Sequence, residues 1–340
     1  MNMDQFLNRL YHEQPRVYPE HAGYDEDLRN RLRSRLPDLL GGFPASKAEL
    51  DPVLLETTEL EGLRVERVEY ATFEHVRVSA YVLIPKHHTG RLPAVLACHG
   101  RGYGHKEALG LRPDGMPAEE PGIHNKFAVR LAQRGMLVMV PEIMGFGERR
   151  LQADRDEAPD GRKSSCNMMV VSMLMRGKTL AGFRVYEAMR AIDYLETRTD
   201  VDSGRIGIMG FSGGGLIGSL TAALDRRIRA TVICGYTNTY KGSILAMPHC
   251  IDNYISGILQ YAEQPEIMGL IAPRTLFIES GEKDPIFPVD HVREAINRLR
   301  RIYEAMNAGD RLEADIFPGG HEISGRKSLD WLKNKLNSIP

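Results

Sequence analysis

The chain has 340 residues, of which 42% are hydrophobic and 26% are charged, and its formal net charge is −1. This composition is ordinary for a globular protein with one large α/β domain or two domains, and the near-zero charge excludes a global attraction for nucleic acid or an anionic membrane. The four cysteines show no CxxC spacing, and neither a signal peptide nor a run of about 18 apolar residues is visible, so we expect a cytoplasmic protein.

The N-terminal part is polar and helical in pattern. Between residues 24 and 40, Leu28, Leu32, Leu36 and Leu39 recur at close to helical spacing, and glycines at 41 and 42 follow. We therefore predict an N-terminal helical extension over 1–50 and a catalytic domain over 51–340. The pattern leaves open whether the extension packs on the main domain or on a second subunit of a homo-oligomer.

From Val53 the apolar period changes to two. Clean alternation over 63–70, and partial alternation over 75–82, predicts half-exposed antiparallel strands that lead into Pro85. The segments 94–98 and 136–140 are instead continuous apolar runs, as strands buried on both faces require. A helix over 123–134 is predicted between them.

After a polar stretch over 148–163, helices and strands alternate to the C-terminus. Strands are predicted at 206–209, 230–234, 275–279 and 313–317, and helices at 179–196, 216–224, 289–305 and 325–336. Alternation of this kind predicts a doubly wound, mostly parallel sheet with helices on both faces.

The segment 210–214 reads GFSGG, between an apolar strand and a helix. A serine at such a strand-turn-helix junction carries its hydroxyl at the top of the sheet, and flanking glycines leave room for the sharp turn. We predict that Ser212 is a nucleophile. Such a hydroxyl needs a base within hydrogen-bond reach and an acid that orients the base.

Residues that follow strands can meet at the edge where parallel strands end. His321 follows strand 313–317 in a Pro-Gly-Gly loop and is the predicted base, with His249 and His291 as the rivals downstream of the serine. Asp284 follows strand 275–279 and is the predicted acid, because Pro285 restricts its backbone; Glu279 and Glu282 compete with it.

An acyl-transfer site also needs donors for the oxyanion. The backbone N–H of Gly213 lies at a helix N-terminus, and the glycine-rich loop 99–104 after the first buried strand offers the N–H of Arg101. We predict these two amides as the oxyanion hole. His99 is interpreted as a structural histidine that braces the loop.

These residues, with GFGE at 145–148 and the lead-in ending at Pro85, resemble the α/β-hydrolase superfamily from about residue 60 to the C-terminus. Within it, the chain is similar to the branch of dienelactone hydrolases and acetyl xylan esterases. The resemblance implies an α/β-hydrolase fold and a Ser-His-Asp carboxyl-ester hydrolase that uses no cofactor and no metal.

Three loops are predicted to set substrate choice: 103–122, 147–182 and 235–257. The methionine-rich segment 167–175 either lines an apolar pocket or fills core gaps, and Tyr236, Tyr240 and His249 either border the pocket or only pack beside it. The sequence thus predicts a serine esterase that acts through an acyl-enzyme on a small-molecule or sugar ester. An acyltransferase, a peptidase or a non-catalytic ligand-binding homologue of the same fold are the alternatives.

Overall fold

The computed structural model describes residues 2–17 and 26–339, which form a nine-stranded sheet with helices on both faces. The strands are β1 Val53–Leu60, β2 Leu63–Phe73, β3 Val76–Pro85, β4 Leu92–Cys98, β5 Leu137–Pro141, β6 Val201–Phe211, β7 Ile228–Cys234, β8 Thr275–Gly281 and β9 Leu312–Phe317. The α-helices are α1 Met3–Glu13, α2 Glu26–Leu39, α3 Phe127–Ala132, α4 Gln152–Glu157, α5 Cys166–Leu174, α6 Leu180–Thr197, α7 Gly213–Leu224, α8 Gln264–Met268, α9 Val289–Ala305 and α10 Ser328–Asn337.

The spatial order of the sheet is β1-β2-β3-β5-β4-β6-β7-β8-β9. The first three strands and the β3–β5 pair are antiparallel, and every pair from β5 across to β9 is parallel. This architecture confirms the predicted α/β-hydrolase fold with antiparallel lead-in strands. Because β4 to β9 run in the same direction, their carboxyl ends share one edge, and the loops after them can form a common site.

Both faces of the central strands are buried, as the continuous apolar runs predicted. All seven residues of β4 are buried, and they alternate between two apolar clusters on the two faces of the sheet. Leu96 belongs to the cluster beneath α6, whereas Val95 belongs to the cluster beneath α3 and α10. A strand between two helical layers needs no polar face, so it loses the period of two.

Some predicted boundaries are wrong for local reasons. The lead-in has three antiparallel strands rather than two, because residues from Val53 form β1 at the sheet edge. Helix α3 begins at Phe127 rather than at 123. Asn125 and Lys126 have φ angles of 49° and 47°, which a right-handed helix cannot accommodate. The last helix begins at Ser328, after Gly325 with φ of 63°.

The N-terminal helices differ in how they meet the body. In α2 the predicted leucines Leu28, Leu32 and Leu36 are buried in the main core, whereas α1 buries no residue. The start of the predicted helix, residues 24 and 25, lies outside the described residues. Helix α2 therefore packs on the main body. No helix in the described ranges is long and apolar enough to cross a membrane.

Candidate active site

The turn after β6 holds Ser212 in a conformation that few side chains adopt. Its φ of 53° and ψ of −117° lie outside the ordinary regions for an L-residue. A Cβ on Gly210 would lie 2.1 Å from the Gly214 oxygen, and one on Gly214 would lie 2.0 Å from the Cys98 oxygen. The glycines two residues before and after the serine are thus required by backbone packing.

The structure brings Ser212, His321 and Asp284 together at the carboxyl edge of the sheet. The distance from Ser212 Oγ to His321 Nε2 is 2.9 Å, and His321 Nδ1 lies 2.7 Å from Asp284 Oδ2. The N–H groups of Ile286 and Phe287 donate to Asp284 Oδ1 at 2.9 and 3.1 Å. Since the Nδ1–H donates a hydrogen bond to the carboxylate, Nε2 is unprotonated and can accept from the serine hydroxyl.

The imidazole of His321 lies between two aromatic rings. The ring of Phe211, the residue before the serine, is 4.9 Å away between centroids, and the ring of Phe287 is stacked at 5.6 Å. These contacts limit ring rotation, so His321 is positioned by packing as well as by hydrogen bonds.

The competing acids have other partners. Glu279 accepts from the N–H groups of Ser324 and Gly325 and from the Ser328 hydroxyl at 2.7 Å, so it anchors the segment that follows the histidine loop. Glu282 has a side chain that is 51% exposed. Neither carboxylate contacts His321.

The competing histidines do not hydrogen-bond to the serine, although His249 borders the same cavity. His249 Nε2 lies 2.9 Å from the Ser243 hydroxyl, and His291 Nδ1 lies 3.1 Å from Glu294 on the surface of α9. Of the downstream histidines, the structure brings only His321 to Ser212.

The two amides predicted for the oxyanion border the same cavity as Ser212. In the described residues, neither the Arg101 N–H nor the Gly213 N–H donates to a protein acceptor. Gly213 is the first residue of α7, where helix geometry provides no acceptor for its N–H. A Cβ on Gly100 would lie 3.2 Å from the serine Cβ, so the loop approaches the nucleophile closely. Both amides therefore remain predicted oxyanion donors.

Sequence reasoning missed His124, which supports this loop from behind. The Gly100 N–H donates to His124 Nε2 at 2.9 Å, and the ring packs edge-on against Phe211. Burial lowers the pKa of His124 to about 3, so the imidazole stays neutral and remains an acceptor. The predicted base was sought by chain order among the histidines that follow Ser212, and His124 precedes it. The position of His124, just before the helix that follows the glycine-rich loop, could have indicated a contact with that loop.

His99 is fully buried beside this loop. Its Nδ1 lies 2.8 Å from the Gly100 oxygen, and its Nε2 accepts from the Ile143 N–H at 3.2 Å. The ring therefore joins the loop to the segment after β5, in agreement with its interpretation as a bracing residue.

Residues 20–315 match a family model that is described as Abhydrolase family. The chain belongs to this family. The matched range includes Ser212 and Asp284 but ends before His321, so the assignment of the histidine depends on the distances given above.

The chain is also similar to a Bacillus subtilis (strain 168) protein that is named as a hydrolase, YtaP. It is 28% identical over 304 residues, which cover 86% of this chain and 94% of the relative. Among solved structures, a Bacteroides fragilis NCTC 9343 protein named as an acetyl xylan esterase gives a TM-score of 0.75 at 18% identity, with 93% of this chain and 82% of that chain covered. A glucuronoyl esterase from Solibacter usitatus gives a TM-score of 0.65 at 16% identity, with 91% of each chain covered. At these identities the structural matches show the shared fold.

The cavity above Ser212 has a volume of about 380 Å³. Besides the residues already placed there, its walls include Ile123, Phe146, Tyr236, Pro248, His249, Cys250, Asp252, Asn253, Ile286 and Phe287. Of the three loops predicted as walls, 235–257 contributes the most residues, and 103–122 and 147–182 contribute none of these lining residues. Tyr240 is buried in the core instead.

The methionine-rich segment forms α5 and does not border this cavity. Met169 and Met173 pack against the core, whereas Met168 and Met175 are 64% and 85% exposed. The core-filling alternative thus holds for two of the methionines. Within residues 2–17 and 26–339, no group of three or more His, Cys, Asp or Glu side chains could hold a metal ion.

Proposed function

We propose that this protein is a serine carboxyl-ester hydrolase that works through an acyl-enzyme. The observation that carries the proposal is the hydrogen-bonded line from Asp284 through His321 to Ser212, at the edge of the sheet where such sites form. Family membership and the relatives' names support a hydrolase or esterase of the α/β-hydrolase kind.

In the first half of the proposed reaction, Ser212 Oγ attacks the ester carbonyl carbon while His321 Nε2 takes the hydroxyl proton. The carbonyl oxygen becomes an oxyanion, which the N–H groups of Gly213 and Arg101 bind. The carbon–oxygen bond to the alcohol then breaks, and His321 gives its proton to the leaving alkoxide. The acyl group stays on the serine.

In the second half, His321 Nε2 takes a proton from water as the water oxygen attacks the acyl carbon. The tetrahedral species collapses, the acid leaves, and the serine recovers its proton from His321. Asp284 stays ionised throughout and stabilises the imidazolium that forms in each half. No cofactor is needed for any step.

The substrate class follows from the size of the site and from the relatives. A cavity of about 380 Å³ suits a small molecule. Two structural neighbours are named as an acetyl xylan esterase and a glucuronoyl esterase, and both names refer to esters of carbohydrates. We therefore propose a small-molecule or sugar ester as the substrate.

The proposal is tested with Ser212→Ala and a fluorophosphonate probe. We expect the variant to lose hydrolysis of p-nitrophenyl acetate by roughly 10⁴-fold or more in kcat. In the wild-type protein, the probe adduct should map to the peptide that contains Ser212. Ser203→Ala, an exposed serine on the same strand β6, is the matched control and should keep full activity. Unchanged turnover in Ser212→Ala, or an adduct elsewhere, would overturn the proposal.

A further inference from the structure

A second cavity, with a volume of about 280 Å³, lies between the loops 103–122 and 147–182, which the sequence predicts as walls of the substrate site. These loops follow β4 and β5, which run parallel to β6, so the cavity lies at the same sheet edge as Ser212. Phe146 borders the cavity above the serine, and the next residue, Gly147, borders the second cavity. The two cavities are therefore neighbours with different walls.

Arg150 is a buried cation in the wall of the second cavity and is only 8% exposed. Its Nη1 donates to three backbone oxygens of residues 154–163 at 2.8 to 3.1 Å, and its Nε donates to the Gly147 oxygen at 2.9 Å. These acceptors are neutral, and the nearby Asp154 carboxylate pairs with Lys163 at 3.0 Å instead. Arg150 Nη2 forms no hydrogen bond in the described residues and keeps accessible surface, so its N–H groups are available to a ligand.

Two further cations border this cavity, and neither forms an ion pair with a carboxylate in the described part of the chain. Lys106 Nζ donates to the Pro113 oxygen at 2.7 Å. Arg155 donates to the Glu148 backbone oxygen at 3.4 Å and to the Gln152 side chain. All of these acceptors are neutral, so three positive charges border the cavity without a negative partner.

The two carboxylates that border the cavity already have partners of their own. Glu148 pairs with Arg67 at 2.8 Å. Glu142 is 2% exposed, contacts His105 Nδ1 at 2.7 Å and accepts from the His105 N–H at 3.0 Å. The cavity therefore has an excess of positive charge, and a buried guanidinium such as that of Arg150 normally has an anionic partner. Both features favour an anionic ligand.

The donors indicate which kind of anion fits. Arginine offers a planar pair of N–H groups that matches the oxygens of phosphate or carboxylate, and lysine adds a mobile point charge. A phosphate monoester carries a charge of about −1.5 to −2 and three acceptor oxygens, whereas a carboxylate carries one charge. Three cations therefore match a phosphate group better than a carboxylate. The volume of about 280 Å³ also leaves room for a small organic group on the phosphate.

We propose that the cavity bordered by Lys106, Arg150 and Arg155 is a phosphate-binding site. One phosphate oxygen accepts from Arg150 Nη2. The side chains of Lys106 and Arg155 turn from their neutral acceptors to the remaining oxygens. The inference assigns a ligand class to a cavity other than the catalytic one, and it holds whether or not Ser212 hydrolyses esters.

Inorganic phosphate at pH 8 is the first probe, and thermal unfolding of the full chain by circular dichroism is the measurement. A ligand that binds the folded state stabilises it, so about 20 mM phosphate should raise Tm by about 2 °C or more over potassium chloride of equal ionic strength. The dependence of Tm on phosphate concentration gives an apparent Kd. A Tm in phosphate equal to that in chloride would overturn the proposal.

The double variant Lys106→Gln/Arg155→Gln locates the site. It keeps Arg150, whose bonds to the backbone hold the loop, and it removes two of the three charges. We expect the apparent Kd for phosphate to rise by roughly tenfold or more. The matched control Arg112→Gln/Arg162→Gln removes one cation from each of the same two loops, at exposed side chains that pair with aspartates outside the cavity, and should bind phosphate as the wild type does.

A wild-type affinity in Lys106→Gln/Arg155→Gln, or an equal loss in the control, would show that phosphate does not bind in this cavity. If circular dichroism shows that the double variant does not fold, Arg155→Gln alone replaces it, since that side chain is exposed. The apparent Kd for phosphate should then rise by about threefold. An unchanged Kd in Arg155→Gln would count against the proposal in the same way.

Phenyl phosphate distinguishes the two sources of a phosphate group. Tighter binding of phenyl phosphate than of inorganic phosphate would support a phosphorylated small molecule as the ligand, whereas equal or weaker binding would support the free ion. In either case the double variant should weaken binding. An equal rise in Tm with acetate at matched ionic strength would show that the cavity binds any small anion and would overturn the assignment to phosphate.

Discussion

Two parts of one cavity wall differ in how their polar atoms are satisfied. Around Ser212, the imidazole and carboxylate have protein partners on both sides, down to the two backbone N–H groups that donate to Asp284. Around Asp252 and Asn253, Asp252 Oδ2 and Asn253 Nδ2 have protein partners, whereas Asp252 Oδ1 and Asn253 Oδ1 have none in the described ranges. We call these the catalytic wall and the loop wall. The difference shows that the polar groups of the first are satisfied within the protein, whereas those of the second are satisfied only in part in the described ranges.

The two walls also have different supports. The catalytic wall stands on the ends of β6, β8 and β9, which are fixed by sheet hydrogen bonds. The loop wall belongs to the long connection between β7 and α8, and the buried ion pair with Arg184 of α6 anchors it. Rigid strands suit groups that must meet within tenths of an ångström, and loops suit groups that distinguish substrates.

Among substitutions in the catalytic wall other than at the serine, Asp284→Asn is expected to lower kcat the most. The backbone N–H groups of Ile286 and Phe287 would keep the amide oxygen, so the NH₂ group would face His321 Nδ1 and favour the wrong tautomer. We expect kcat to fall by about 10⁴-fold with the fold intact. Glu282→Gln, an exposed carboxylate two residues earlier, is the control and should not change kcat. A kcat in Asp284→Asn close to that of the wild-type protein would contradict this assignment.

A smaller effect is expected from His124→Phe, which keeps a ring against Phe211 but removes the acceptor of the Gly100 N–H. The loop that carries the Arg101 N–H should then shift, and kcat should fall roughly 10- to 100-fold with little change in KM. His124→Gln offers an amide oxygen to the same N–H and should recover part of the loss. If glutamine is no better than phenylalanine, the hydrogen bond has no such role.

The smallest effect concerns Glu107, whose carboxylate lies 3.3 Å from His124 Nδ1. Burial raises the pKa of Glu107 to about 7, so the folded state retains a proton that the unfolded state releases near its ordinary pKa of 4.5. The resulting stabilisation is present below pH 4.5 and is lost as the pH rises through 7.

Glu107→Gln cannot ionise, so its melting temperature relative to the wild-type protein should rise by a few °C between pH 5 and pH 8. Thermal unfolding by circular dichroism at a series of pH values measures this difference. Glu120→Gln, an exposed position in the same loop region, is the control. A difference between Glu107→Gln and wild type that does not vary with pH would show that burial does not raise this pKa.

The sequence by itself determined the order and type of the main elements. Continuous apolar runs such as 94–98 favour strands buried on both faces. In the GFSGG turn, the sharp turn at the serine leaves room only for glycine at 210 and 214. The alternation of strands and helices predicted the fold class, and the resemblance of the motifs to the α/β-hydrolase superfamily predicted the family; both are confirmed. Boundaries such as the start of α3 were missed because left-handed residues like Lys126 leave no periodic signal.

The tertiary structure alone decided which polar groups meet. Pro285 favoured Asp284 over Glu279 in the sequence, but only the structure shows where each carboxylate points. Glu279 lies within β8 and binds the segment 324–328, whereas Asp284 follows the strand and faces His321. Likewise nothing local joins Arg184 to Asp252 or His124 to Gly100, because each pair is brought together by helices packed on the same sheet. Periodicity reports how far a side chain is buried, whereas a hydrogen bond between distant residues depends on the relative positions of whole elements, which are set by packing.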